Sequence, residues 1–97
     1  MFSYNKAMHI ITLMNERSIT NLRIFKVFMY IAENPASTSK QISDGTQINS
    51  ISLRSILLTL KKKGFIRSVD NENDKTKNVL RQQIYFICED IIEDFEN

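Results

Sequence analysis

Leu53, Ile56, Leu57 and Leu60 fall at i, i+3, i+4 and i+7, one apolar stripe of a 3.6-residue period. The spacing predicts an amphipathic helix over residues 49–63. Asn49 stands where its side chain can cap the first turn, and Gly64 follows the last one. Upstream, residues 20–34 carry a different pattern. Leu22, Ile24, Phe25, Val27, Phe28, Met29, Ile31 and Ala32 leave only Arg23, Lys26, Tyr30 and Glu33 as a narrow polar stripe. A helix this apolar needs cover on several sides, supplied by the preceding residues or by a second subunit. Thr20 or Asn21 is its expected cap. Between these helices, Asn34, Pro35, Ala36 and Ser37 predict a turn, because Pro35 cannot continue a helix and restrains the residue before it. Thr38 and Gln41 then have the spacing of a capping box. They open a short helix anchored inward by Ile42 and ending near Gly45, a residue free to turn left-handed. Ile48 is the apolar plug of the connection that follows.

Both flanks extend this plan. In residues 1–19, Ala7, Met8, Ile10, Ile11, Leu13 and Met14 predict a helix over residues 5–16, although the β-branched run Ile10, Ile11, Thr12 leaves a short strand open. Beyond Gly64, residues 65–69 predict a strand and residues 70–78 a polar loop. Residues 79–87, rich in β formers around Ile84, Tyr85, Phe86 and Ile87, return as a second strand, making a long-tipped hairpin. Ile91, Ile92 and Phe95 have helical spacing and predict a short acidic helix over residues 88–97. The chain thus reads as one domain over residues 1–97. Its class is α+β, mainly helical: a three-helix core (20–64) containing a helix-turn-helix (38–64), a hairpin wing (65–87), an N-terminal helix (1–19) suited to dimerisation, and an acidic C-terminal helix.

Composition narrows the function. The 97 residues carry a net charge of only +2, but its distribution is uneven. Residues 61–81 hold seven bases against three acids, whereas residues 82–97 hold five acids and no base. Such asymmetry suits a protein that turns one face toward a polyanion. One cysteine, Cys88, and one histidine, His9, exclude an internal disulfide framework and a Cys/His zinc site. Cys88 reads as an inert, partly buried thiol and His9 as a surface or interface residue. No apolar run approaches the roughly 18 residues that span a bilayer, and the start lacks a secretory layout, so a soluble cytoplasmic protein without membrane contact is expected. Catalysis finds no support. Two glycines hardly build a phosphate loop, no Ser/His/Asp or Cys/His set stands out, and Glu89, Asp90, Glu93 and Asp94 read as a solvated face rather than a metal cluster. Neither enzyme activity nor a cofactor nor a metal is expected.

At Ile42, Ile48, Leu53, Leu57 and Leu60, and through Lys62, Lys63, Gly64, Phe65 and Ile66, the chain resembles the winged helix-turn-helix regulators of the MarR type, over roughly residues 20–87. The resemblance implies that residues 49–63 are the recognition helix, lying in the major groove of double-stranded DNA. Ser39, Asn49, Ser50, Ser52, Arg54 and Ser55, with Thr59 beside them, would face the duplex. Arg54 has the geometry to bond a guanine edge or a phosphate, while the serines suit base or backbone. Ile51 either meets a thymine methyl or folds back onto the core, and the second is the expectation. Lys75 and Lys77 at the wing tip and Arg81 on the returning strand suit phosphate or minor-groove contact. Lys61 and Lys62, with Lys63, suit the backbone and also the helix dipole. Glu72 and Asp74 lessen the tip's pull on phosphate. The flanking segments are shorter than the dimerisation bundle typical of the family, which leaves a homodimer through residues 2–31 or a monomer.

The expected function is a sequence-specific, non-catalytic transcription regulator. The rival is a winged helix serving as a protein-interaction module in a replication or transcription assembly. Convergence of the basic residues on one face separates the two. A single-strand or RNA binder would need exposed aromatic platforms, and Phe25, Phe28, Phe65, Tyr85 and Phe86 are expected in the core.

Overall fold

A computed structural model describes residues 4–70 and 83–91. The order is α1 (Tyr4–Glu16), α2 (Leu22–Glu33), β1 (Ser37–Thr38), α3 (Ser39–Thr46), α4 (Ser50–Lys62), β2 (Ile66–Asp70) and β3 (Gln83–Ile87). The N-terminal segment is therefore a helix and not a strand. Its buried residues, Ile10 and Met14, are one turn apart, so a helix places both on the core.

Asn21 caps α2, its side chain accepting from the Arg23 amide at 2.8 Å. Val27, Phe28 and Ile31 of α2 are fully buried. They sit at the centre of a core that takes Ile42 from α3, Leu53, Leu57 and Leu60 from α4, and Phe65 and Ile66 beyond it. Phe28 and Phe65 meet edge to face, with centroids 5.8 Å apart, the arrangement that aromatic quadrupoles favour.

Residues 34–37 turn as expected, and Ser37 then departs from the turn. Ala36 takes a positive φ of 65° and its amide donates to Tyr85 O at 3.1 Å. Ser37 and Thr38 pair antiparallel with Tyr85 and Ile84. The two wing strands thus belong to a three-stranded antiparallel sheet of order β1-β3-β2, with Ile66 opposite Ile87 and Asp70 opposite Gln83. Strand β2 lies one residue later than expected, at 66–70, because the Phe65 amide still bonds to Leu60 O at 3.0 Å. The wing tip and the residues beyond 91 lie outside the described residues. Residues 89–91 are helical, and Ile91 is buried.

Helix α3 ends near Gly45 as expected, at Thr46, but Gln47 and not Gly45 takes the left-handed conformation, at φ 61°, ψ 29°. Gly45 is needed for another reason. A Cβ there would lie 2.1 Å from Tyr30 Cε2, so the missing side chain lets the Tyr30 ring of α2 lie directly on α3. Gly64, at φ 81°, does close α4 as expected, and Arg17 adds a brace there. Its Nη1 donates to Lys63 O at 2.7 Å, and its guanidinium lies 5.0 Å from the Phe65 ring centre. One side chain thereby ties the end of α1 to the end of α4.

Candidate nucleic-acid interface

The helix-turn-helix is built from two local caps. Thr38 Oγ1 accepts from the Gln41 amide at 3.2 Å while the Thr38 amide donates to Gln41 Oε1 at 2.9 Å, the reciprocal capping box. Between the helices, Ser43 Oγ donates to Ile48 O at 2.6 Å, and Ile48 is buried. The turn is thus pinned from α3 and plugged into the core. Asn49 Oδ1 then accepts from the Ser52 amide at 2.8 Å, starting α4.

With Leu53, Ile56, Leu57 and Leu60 buried, the opposite face of α4 meets solvent. Ser50, Ile51, Arg54, Ser55, Leu58, Lys61 and Lys62 are exposed along it, and Ser52 is half-buried. No acidic residue occurs anywhere in α4. The end of the helix carries Lys61 and Lys62, where cations also suit the helix dipole.

An open groove of about 640 Å³ runs between α3 and α4. Ser39, Lys40, Ser50, Arg54 and Lys61 line it above a floor that includes Leu57, with Tyr85 from β3 at one side and no acid among the described residues of the lining. Burial pushes the Tyr85 phenol up, so it stays protonated at neutral pH and remains a donor.

The expected site residues fall into five groups. Ser39, Ser50, Arg54 and Lys61 come together around the groove. Ser55 and Lys62 stand exposed on α4 and do not line it. Asn49 and Ser52 are joined by the cap, which commits the Asn49 carbonyl oxygen to the protein and leaves only its amide nitrogen to donate outward. Lys75, Lys77 and Arg81 lie outside the described residues. Thr59 turns inward on its own helix, donating to Ser55 O at 3.0 Å.

Two placements differ from expectation. Ile51 does not fold back onto the core; it is 84% exposed, because the inward positions of the first turns belong to Leu53, Ile56 and Leu57. Phe25 and Tyr85 are half-buried and pack against the core as expected, whereas Phe86 does not join it. Phe86 lies under the Arg67 guanidinium at 4.7 Å, on the face of the sheet away from the core. Lys40 was missed, although its place beside Ser39 at the start of α3 carried the signal. Leu58 was missed too, exposed at 52% and seven residues from Ile51, hence on the same face. Among the described residues no group of three or more His, Cys, Asp and Glu is placed to hold a metal, and no helix is long and apolar enough to cross a membrane.

No family model matches the chain, and no curated protein matches it in sequence. Solved structures do. Staphylococcus aureus MarR in complex with salicylate and kanamycin superposes with a TM-score of 0.64 at 20% identity, over 88% of this chain and 53% of that one. The MepR–DNA complex of Staphylococcus aureus gives 0.65 at 17% identity, over 95% and 68%. Streptococcus pneumoniae FabT in complex with DNA gives 0.64 at 16%, over 92% and 59%. The fold is a MarR-like winged helix. In such a fold α3 and α4 form the helix-turn-helix, and β2 and β3 with the segment between them form the wing. At these identities the likeness establishes the fold alone. The chain spans little more than half the length of the MarR structure it matches.

Proposed function

We propose that this winged helix is a double-stranded DNA-binding transcription regulator that acts without catalysis. Helix α4 enters the major groove, and the wing, through Lys75, Lys77 and Arg81, holds the backbone or the minor groove. The observation that carries this reading is the exposed face of α4. It is free of acids and joined to a groove lined by Lys40, Arg54 and Lys61. An acid-free cationic surface on the exposed face of a helix complements a polyanion, and the width of the major groove admits one helix. MepR and FabT, whose structures contain DNA, share the fold and support the assignment.

The regulator works as a homodimer through residues 2–31, in the cytoplasm where its DNA lies. Support comes from α1, whose Tyr4, Met8 and Ile11 are 78%, 43% and 43% exposed at i, i+4 and i+7, one helix face. Next to that face, Ile11, Met14, Ile19, Leu22 and Phe25 surround an apolar groove of about 270 Å³. A second copy placing the same face there would give two α4 helices for two half-sites.

The test is binding to random-sequence duplex DNA across a salt series, wild type against an Arg54→Ala/Lys61→Ala/Lys62→Ala variant. Wild-type affinity should fall steeply with salt. The variant should bind more weakly, with a log–log slope shallower by about 0.9 for each phosphate contact removed. Absence of binding at low salt, or binding indifferent to the three substitutions, would overturn the proposal.

A further inference from the structure

From the surface of α4 we infer that Ile51 is the side chain that reads a thymine, by packing on its C5-methyl group in the major groove. This rests on the DNA-binding reading above and deepens it. Ile51 is 84% exposed at the second residue of α4. The helix itself has no use for it there. A β-branched side chain lowers helix propensity, and the first turn favours an acid. The core has no use for it either, since Leu53, Ile56 and Leu57 fill the inward positions. Its neighbours on the exposed side are Ser50, Arg54, Ser55 and, two turns on, Leu58, and the adjoining groove brings Lys40 and Lys61.

The occupant of this surface must therefore be polyanionic and still offer an apolar group to Ile51, which shares its face of the helix with Leu58. Charge complementarity with the acid-free face selects a nucleic acid. Among base edges in the major groove, only thymine presents a methyl. RNA fails on both counts: its major groove is too deep and narrow for side chains, and uracil has no methyl. The N-terminal residues of a recognition helix are those that reach base edges, and Ile51 occupies that place. Arg54 and the lysines then supply attraction and orientation, while Ile51 supplies a discrimination that hydrogen bonding from serines does not.

The test uses the full chain and the duplex it selects from a random-sequence library. That duplex is remade with deoxyuridine in place of each thymine in turn, which removes one methyl and no hydrogen bond. At the contacted position wild type should bind the uracil duplex about fourfold more weakly, the factor equivalent to burying one methyl at about 0.8 kcal/mol. Ile51→Ala should bind the thymine duplex about as weakly as wild type binds the uracil one, and should not distinguish the two. Its salt slope should match wild type, since the substitution removes no charge. The substitution is at an exposed helical position, so it leaves the fold intact. Equal wild-type affinity for thymine and uracil at every position overturns the inference, as does a selected site without thymine or an Ile51→Ala protein that still discriminates. If salt-dependent binding to random duplex persists in those cases, only the role of Ile51 falls. If it is absent from wild type, the DNA-binding reading falls with it.

Discussion

Replacing Gly45 by alanine should destabilise the protein, although alanine is the better helix former. Gly45 lies inside α3, where the exchange alone would add up to about 1 kcal/mol. The new Cβ, however, would sit 2.1 Å from Tyr30 Cε2, 2.6 Å from Cζ and 2.9 Å from the hydroxyl oxygen. Carbon atoms rest about 3.5–4.0 Å apart, so the ring must retreat by about 1.4 Å or swing off α3. Overpacking of this kind costs about 1–3 kcal/mol. The net effect should be a loss of up to about 2 kcal/mol, after the helix gain of about 1 kcal/mol offsets part of the strain. For a chain of this size that lowers Tm by up to roughly 15 °C. The same substitution in a Tyr30→Ala background meets no ring. There it should stabilise by up to about 1 kcal/mol, so its sign reverses. Urea denaturation followed by circular dichroism on the four proteins of this cycle measures the coupling directly. A Gly45→Ala protein more stable than wild type, or one equally destabilised with and without Tyr30, would refute the reasoning. Gly45 would then not be the residue that sets α3 against α2 and so positions the groove beside α4.

Other outcomes follow from the same structure. Asn49→Ala removes the acceptor that starts α4 and should cost about 1 kcal/mol in urea denaturation. Asn49→Asp keeps the cap and suits the helix N-terminus, so it should retain stability while weakening binding to random duplex DNA. Arg17→Ala loses both the bond to Lys63 O and the stacking on Phe65. It should lower stability by about 1–2 kcal/mol, with Arg17→Lys restoring part of the loss. Burial, with Asp90 as a further cause, pushes the Cys88 thiol up against the lesser opposing pull of Arg67 and Arg17. At neutral pH it should therefore react with iodoacetamide more slowly in the folded protein than in urea. The sign for stability follows: above the ordinary thiol value the unfolded chain loses this proton first, so the contribution of Cys88 to stability is intact at lower pH and declines as pH rises toward its folded value. Cys88→Ser should flatten that part of the profile.

Much of the architecture was legible because its causes are local. The capping box joins Thr38 to Gln41, the Asn49 cap reaches only to Ser52, and the stripe from Leu53 to Leu60 repeats within two turns. Each is visible in a short window. Gly64 likewise announces the end of α4 by its own backbone freedom. The candidate site was legible in part for the same reason, since knowing the inward stripe of α4 left Ser50, Arg54, Ser55, Lys61 and Lys62 as the outward remainder.

Tertiary structure alone decided the rest. Ser37 and Thr38 became a strand because Tyr85 and Ile84 arrive beside them, an event nearly half a chain away that no local preference encodes. Gly45 looked like a helix stop because that is the common use of glycine, yet its position was set by an aromatic ring on another helix. Ile51 looked like core because its side chain is apolar, but burial depends on which faces of α4 the other elements cover, and they cover the face of Leu53 and Leu57. The meeting of Lys40 with Arg54 and Lys61 across one groove depends on the angle between α3 and α4. By itself the sequence determined the helices, their caps and the inward stripe, because those follow from interactions within a few residues. The third strand, the exposed isoleucine and the cationic groove were decided only by packing, because each requires elements distant in the chain to share one surface.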